Sequence, residues 1–230
     1  IPVISTLPYF EDFETGAGGW DDEGASSTWE LGTPSAAYIT GAASGSTAWL
    51  TNLNGFYAPN ELSYLVSPCM DFSGLTFDPS LLFSHIYQTQ ACCDEGWVDY
   101  SIDGGNTWFK LGTTTSGGQN WYNMVGLNYW NDNSGDAGVW RTARHRLTGL
   151  AGQSNVRVRF VFSSDAFISD DGFGIDNILV KEPDSNDVGV ISIDAPISGC
   201  GLTATEAVTV TVRNWGINAQ DTIPVAYTLN

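Results

Sequence analysis

Positive charge is what this sequence has least of. Lys and Arg together number 8 among 230 residues, against 26 Asp and Glu, for a net charge of −18. A field of that sign repels phosphate backbones and anionic headgroups and draws cations, so nucleic acid is excluded as a partner. Histidine is scarcer still: only His85 and His145 are present, which leaves general-base chemistry few carriers. No apolar run approaches the roughly 18 residues a membrane-spanning helix needs, so no membrane insertion is expected. The four cysteines, Cys69, Cys92, Cys93 and Cys200, match no zinc spacing. In an exported protein the expected bridge joins Cys69 to Cys92 or Cys93, with Cys200 left over or paired to the remaining cysteine; a reduced, buried Cys200 is the other arrangement. The chain starts at Ile1, with neither Met nor a charged-then-apolar leader, and so reads as a processed or cut fragment.

What is present is apolar and aromatic matter, at 42% and 13% of residues, enough for one sizeable core and a second small one. Runs such as "SLLFSHIYQ", "WVDYSI", "VRVRFVFSS" and "GIDNILV" are strand-length, rich in β-branched and aromatic residues, and bounded by Gly, Asn, Asp and Pro. "RVRFVF" sets Val156, Val158, Phe160 and Phe162 on one face and Arg157, Arg159 and Val161 on the other. The stretch from Thr142 to Leu150 is poorly periodic and reads as a strand with a loop. The pattern is all-β, in two parts. A polar hinge at "KEPDSNDVGV" separates residues 1–182 from a tail, 187–230, that carries three alternating runs, "VGVISI", "AVTVTVRN" and "IPVAYTL". About 44 residues are too few to close a sandwich, so the tail reads as the first part of an immunoglobulin-like module whose remainder was removed.

In order along the chain stand "LPYFEDFETGAGGW", "WELGTP", "SGSTAWLTNLNGFY", "ELSYLVSPCMDFSG", "SIDGGNTW", "NWYN" and "GFGIDNILV". This series resembles the MAM-like and cleaved-adhesin jelly-roll modules of secreted Bacteroidetes proteins, over roughly residues 7–181. The tail, with "CGLTATEAVTVTVRNWG", is similar to the CARDB-type immunoglobulin-like repeats that follow such modules. The resemblance implies an antiparallel jelly-roll β-sandwich followed by a partial immunoglobulin-like β-sandwich. It also implies an extracellular, secreted or cell-surface setting, a non-catalytic role in adhesion or recognition within a larger chain, and often a bound calcium.

The carboxylates give that calcium a location. A period of two through "YFEDFET" places Phe10, Asp12 and Glu14 on one face and sends Phe13 toward the core. A jelly roll lays its first and last strands together, so Asp12, Glu14 and Asp176 form the candidate metal set, of hard oxygens suited to calcium. The alternative is that they are solvated side chains or caps on a sheet edge. "SDAFISDDGFG", with Asp165, Asp170 and Asp171, is a second cation candidate. "SIDGGNTW" fits an Asp-box hairpin, in which Ser101 and Asp103 bond turn backbone and Trp108 folds back over the hairpin.

No nucleophile-elbow or triad context surrounds either histidine, and His85 falls in a core strand, so no enzyme activity is expected. Recognition through aromatics is the positive reading. "NWYNMVGLNYWND" offers Trp121, Tyr122, Tyr129 and Trp130 as candidate ligand-binding rings, standing out of a Gly- and Asn-rich loop to stack on a glycan or protein ligand. The competing reading makes the same rings pins that hold the loop to the sandwich, and makes the module a structural spacer or accessory domain of a secreted peptidase or glycan hydrolase.

Overall fold

The computed structural model describes residues 3–203 and 205–228. Among them are fifteen strands and no helix, hence no helix long and apolar enough to cross a membrane. The chain forms two compact units, Ile1–Glu182 and Pro183–Asn230.

The first unit is an antiparallel jelly-roll β-sandwich. One sheet runs β10 (Phe109–Lys110), β9 (Glu95–Ser101), β12 (Arg157–Ser163), β6 (Leu62–Val66), β3 (Asp21–Ala25). The other runs β11 (Arg141–Arg146), β8 (Ser80–Gln88), β13 (Gly172–Lys181), β5 (Ala48–Thr51), β4 (Trp29–Gly32). A further strand, β2 (Tyr9–Glu11), shares the β5 edge of β13: Gly174 and Ile175 pair with Leu50 and Trp49, whereas Ile178 to Val180 pair with Glu11 to Tyr9. The register of β13 against β8 shifts between Asp176 and Leu179, where Asn177 adopts a φ of 51°. Outside the two sheets, β1 (Val3–Ile4) pairs in parallel with β7 (Cys69–Met70).

Alternation explains the core. Val158, Phe160 and Phe162 of β12 and Leu81, Phe83 and Tyr87 of β8 enter one cluster, in which the Phe83 and Phe160 rings meet at 4.7 Å and join the two sheets. Each fully buried ring of this kind contributes about 1.5–3 kcal/mol relative to exposure. Phe13 is also in that cluster, but at a φ of 60°, which turns the chain immediately after β2.

The cysteines pair differently from the sequence expectation. Cys92 and Cys93 are bonded to each other within the exposed turn after β8, and Cys69 and Cys200 are free. Cys69 is held in β7 against Val3 of β1, while the two turn cysteines are already joined by one peptide bond.

In the second unit, β14 (Val188–Ala195) pairs with β15 (Thr209–Asn214). The third expected strand does not form among the described residues. Residues 223–228 carry no strand pairing, and Val225 and Tyr227 are exposed. A run without a hydrogen-bonding neighbour has nothing to hold it extended; Leu229 lies outside the described residues.

Candidate binding cleft

A cleft of about 410 Å³ opens beside the edge of the second sheet. Its rings come from two sources. Trp121, Tyr122 and Trp130 belong to the long connection between β10 and β11; His85 and Tyr87 lie on the inward face of β8. Arg141, the first residue of β11, pairs in register with His85, and directly opposed residues of an antiparallel pair project to the same side. Gly118, Asn120, Asn123, Asn133, Ser134 and Gly135 complete the lining.

The connecting loop is fixed to both sheets. Gln119 exchanges backbone hydrogen bonds with Arg144 of β11 (2.9 and 3.0 Å), and Trp130 does so with Gly96 of β9 (2.9 and 2.8 Å). The Ser134 N–H donates to the Tyr87 carbonyl at 2.9 Å. Asn120, Asn128 and Asp132 take positive φ, a conformation those side chains tolerate better than most. Tyr122 does so too, at 33°, and is held there by its hydroxyl, which donates to the Leu111 carbonyl (2.9 Å) and accepts from the Val98 N–H (3.2 Å). Gly118 is needed where it stands, because a Cβ there would lie 2.4 Å from that of Trp121.

These anchors turn the four candidate rings inward. Trp121, Tyr122, Tyr129 and Trp130 are each buried, so the expectation of rings projecting from the loop is corrected. Trp121, Tyr122 and Trp130 nonetheless line the cleft. Tyr129 is outside the lining and lies beside Lys110, 5.9 Å from its ring. Sequence reasoning missed His85, Tyr87 and Arg141, which reach the cleft only through strand pairing.

Residues of the cleft carry buried polar atoms without a partner: among the described residues, Trp121 Nε1 and both His85 ring nitrogens have no hydrogen bond. Burial, followed by the Arg141 charge, pushes His85 down to about 3, so its ring is neutral at physiological pH. Leaving such groups dry and unpaired costs about 1–3 kcal/mol each, which favours an occupant, solvent or ligand, with matching groups.

The three-carboxylate metal set is not assembled. The turn at Phe13 ends β2 before Asp12 and Glu14 can share a strand face, and Asp12 accepts the Glu14 N–H at 3.2 Å. Glu14 and Asp176 do reach one loop, but as caps. Glu14 accepts the N–H groups of Ser46 (2.9 Å) and Thr47 (2.7 Å); Asp176 accepts those of Ala43 (2.9 Å), Ser44 (3.0 Å) and Asn177 (2.7 Å). Donors aimed at carboxylates compete with a cation for the same lone pairs, and among the described residues no group of three His, Cys, Asp or Glu is placed to hold a metal. The donor set does not fit calcium. In the second cation candidate two of the three carboxylates act as caps: Asp171 accepts the N–H groups of Tyr38 and Ile39, and Asp165 accepts that of Phe167.

In the Asp-box hairpin, Asp103 accepts the Asn106 and Thr107 N–H groups and the Thr107 hydroxyl, contacts that hold its carboxyl down at about 2. Its chemistry is spent on the turn. His145 faces Ser116 Oγ at 2.7 Å and the Arg146 carbonyl at 2.7 Å. That pair is outside the cleft lining, and Ser116 also accepts the Thr113 N–H.

No family model matches the chain. Bacillopeptidase F of Bacillus subtilis (strain 168) is 31% identical over 179 residues, which is 77% of this chain, and the chain spans 11% of the length of that relative. Among solved structures, the K1 cleaved adhesin domain of Lys-gingipain from Porphyromonas gingivalis W83 has a TM-score of 0.47 and 18% identity, covering 77% of this chain and 99% of that one. A TmCBM61 structure in complex with β-1,4-galactotriose has a TM-score of 0.45 and 11% identity, covering 74% and 94%.

Proposed function

We propose that the first unit is a non-catalytic, extracellular recognition module of a larger secreted or cell-surface protein, and that it binds a glycan in the cleft of Trp121, Trp130, His85 and Tyr87. The observation that carries this reading is the combination, in one open cleft, of aromatic walls with buried polar atoms left unsatisfied, the pairing of apolar surface and directed hydrogen bonds that a sugar ring offers in return. A neutral, unpartnered His85 and the lack of a carboxylate among the lining residues support binding over cleavage. The finer assignment, a MAM-like or cleaved-adhesin module followed by a CARDB-type one, belongs to the same proposal and rests on the ordered motifs.

A glycan array followed by calorimetry on the hits tests it. Asn133→Trp, at an exposed lining position, is expected to fill the cleft and abolish binding while leaving the melting temperature unchanged. Retained binding in that variant would move the site elsewhere. The second reading, an accessory module of a secreted peptidase, is favoured by the likeness to Bacillopeptidase F. An array without hits would leave that reading the better one.

A further inference from the structure

We propose that the glycan taken by this cleft bears a carboxylate, a uronate-type acidic sugar, and that Arg141 selects it. This rests on the reading of the cleft as a glycan site and adds the ligand class. Arg141 is exposed at the cleft, and among the described residues its guanidinium has neither a hydrogen bond nor an ion pair. That is notable where acidic residues outnumber basic ones 26 to 8. Arg159, by contrast, is bound to Asp99 through Nε and Nη2 at 3.0 and 2.8 Å and stacks on Tyr64 and Trp108.

The Arg141 guanidinium packs against Gly135, whose φ is 127°: a Cβ there would stand 2.3 Å from Nη2, and the head group would shift to admit it. Of the remaining cleft groups, the neutral His85 ring offers one donor and one acceptor. Trp121 Nε1 can only donate. The asparagines are engaged within the protein: Asn120 Nδ2 donates to the Thr142 carbonyl, Asn123 bonds both ways with the Asn131 backbone, and Asn133 Oδ1 accepts the Gly135 N–H. A planar guanidinium open to the cleft matches a carboxylate in two parallel hydrogen bonds.

Of the charges that act on Tyr87 in the cleft, Arg141 comes ahead of Asp132. The net charge of −18 opposes an anionic ligand at long range, and physiological salt screens that opposition over about 8 Å, so selection rests on the direct contact with Arg141.

The test is calorimetric titration of the whole chain with galacturonate, glucuronate and mannuronate oligosaccharides and with the same oligosaccharides after reduction of their carboxylates to alcohols. The expected result is binding of at least one uronate, weakened at least tenfold by carboxyl reduction. Arg141→Ala is expected to erase that difference and Arg141→Lys to retain part of it, both without a change in melting temperature. Equal binding of acidic and reduced sugars, or an unchanged preference in Arg141→Ala, overturns the carboxylate while leaving the glycan site standing. Binding of no sugar, neutral or acidic, overturns both.

Discussion

Trp121 and Trp130 meet edge to face, with ring centroids 5.2 Å apart and 72° between their planes, and each also packs on Phe83 at 6.0 Å. The same two rings therefore wall the cleft and fill the core. Trp130 is only 1% exposed, so Trp130→Ala is expected to lower unfolding free energy by about 3–5 kcal/mol, and Trp121→Ala to fall near the lower end of that range. Urea denaturation measures both. A loss under about 1 kcal/mol for Trp130 would mean that the loop does not pack as described.

Asp176 sets a pH dependence. Burial raises its carboxyl to about 6, aided by the Glu14 charge and opposed by three backbone N–H donors. A carboxyl whose folded value lies above its unfolded one, near 4, holds its proton longer when folded. Stability from this group is therefore full below about pH 4, declines as pH rises, and is gone above about pH 6. The span is worth about 3 kcal/mol if the shift is realised in full. Asp176→Asn is expected to flatten the slope between pH 4 and 6. An unchanged slope in that variant would assign the dependence to other groups.

Calcium is expected to leave the fold as it finds it. The Glu14 and Asp176 oxygens already accept N–H donors of the 43–47 loop, and Asp12 stands apart. Melting curves in millimolar calcium and in chelator should coincide. A rise of several degrees with calcium would restore a cation to this loop.

The cysteines predict a thiol count. Unfolded without reductant, the chain should titrate two thiols, Cys69 and Cys200. A bridge between neighbours closes almost no loop, so replacing Cys92 and Cys93 by Ser should change stability by about 1 kcal/mol or less. The chain-entropy relation gives about 3 kcal/mol for a bridge from Cys69 to Cys92. A loss of that larger size would indicate the long bridge.

Strands were legible wherever one face meets a core, because alternation in β8 and β12 is what burial on one side demands. "YFEDFET" misled for a local reason. The period of two holds only while φ stays extended, and Phe13 at 60° breaks it, so Asp12 and Glu14 never share a face. The aromatic loop was legible as a feature but not in its direction, which depends on hydrogen bonds to Gly96 and Arg144, distant in sequence. Arg141 opposite His85 is a fact of register across 56 residues of chain, which no local pattern encodes. The adjacent cysteines in "ACCDEG" are visible in the sequence, but their pairing with each other is not what a bridge between strands would predict.

Strand β13 has a temporal meaning as well as a spatial one. It lies at the end of the first unit, yet β8 lies along one side of it and β5 and β2 divide the other. During synthesis these three strands leave the ribosome well before Gly172–Lys181. Until that segment arrives they stand as open edges, and closing them requires contacts of long sequence separation, the slow kind. The sheet that contains β13 is therefore completed late, and its earlier edges stand open to pairing with other chains until then.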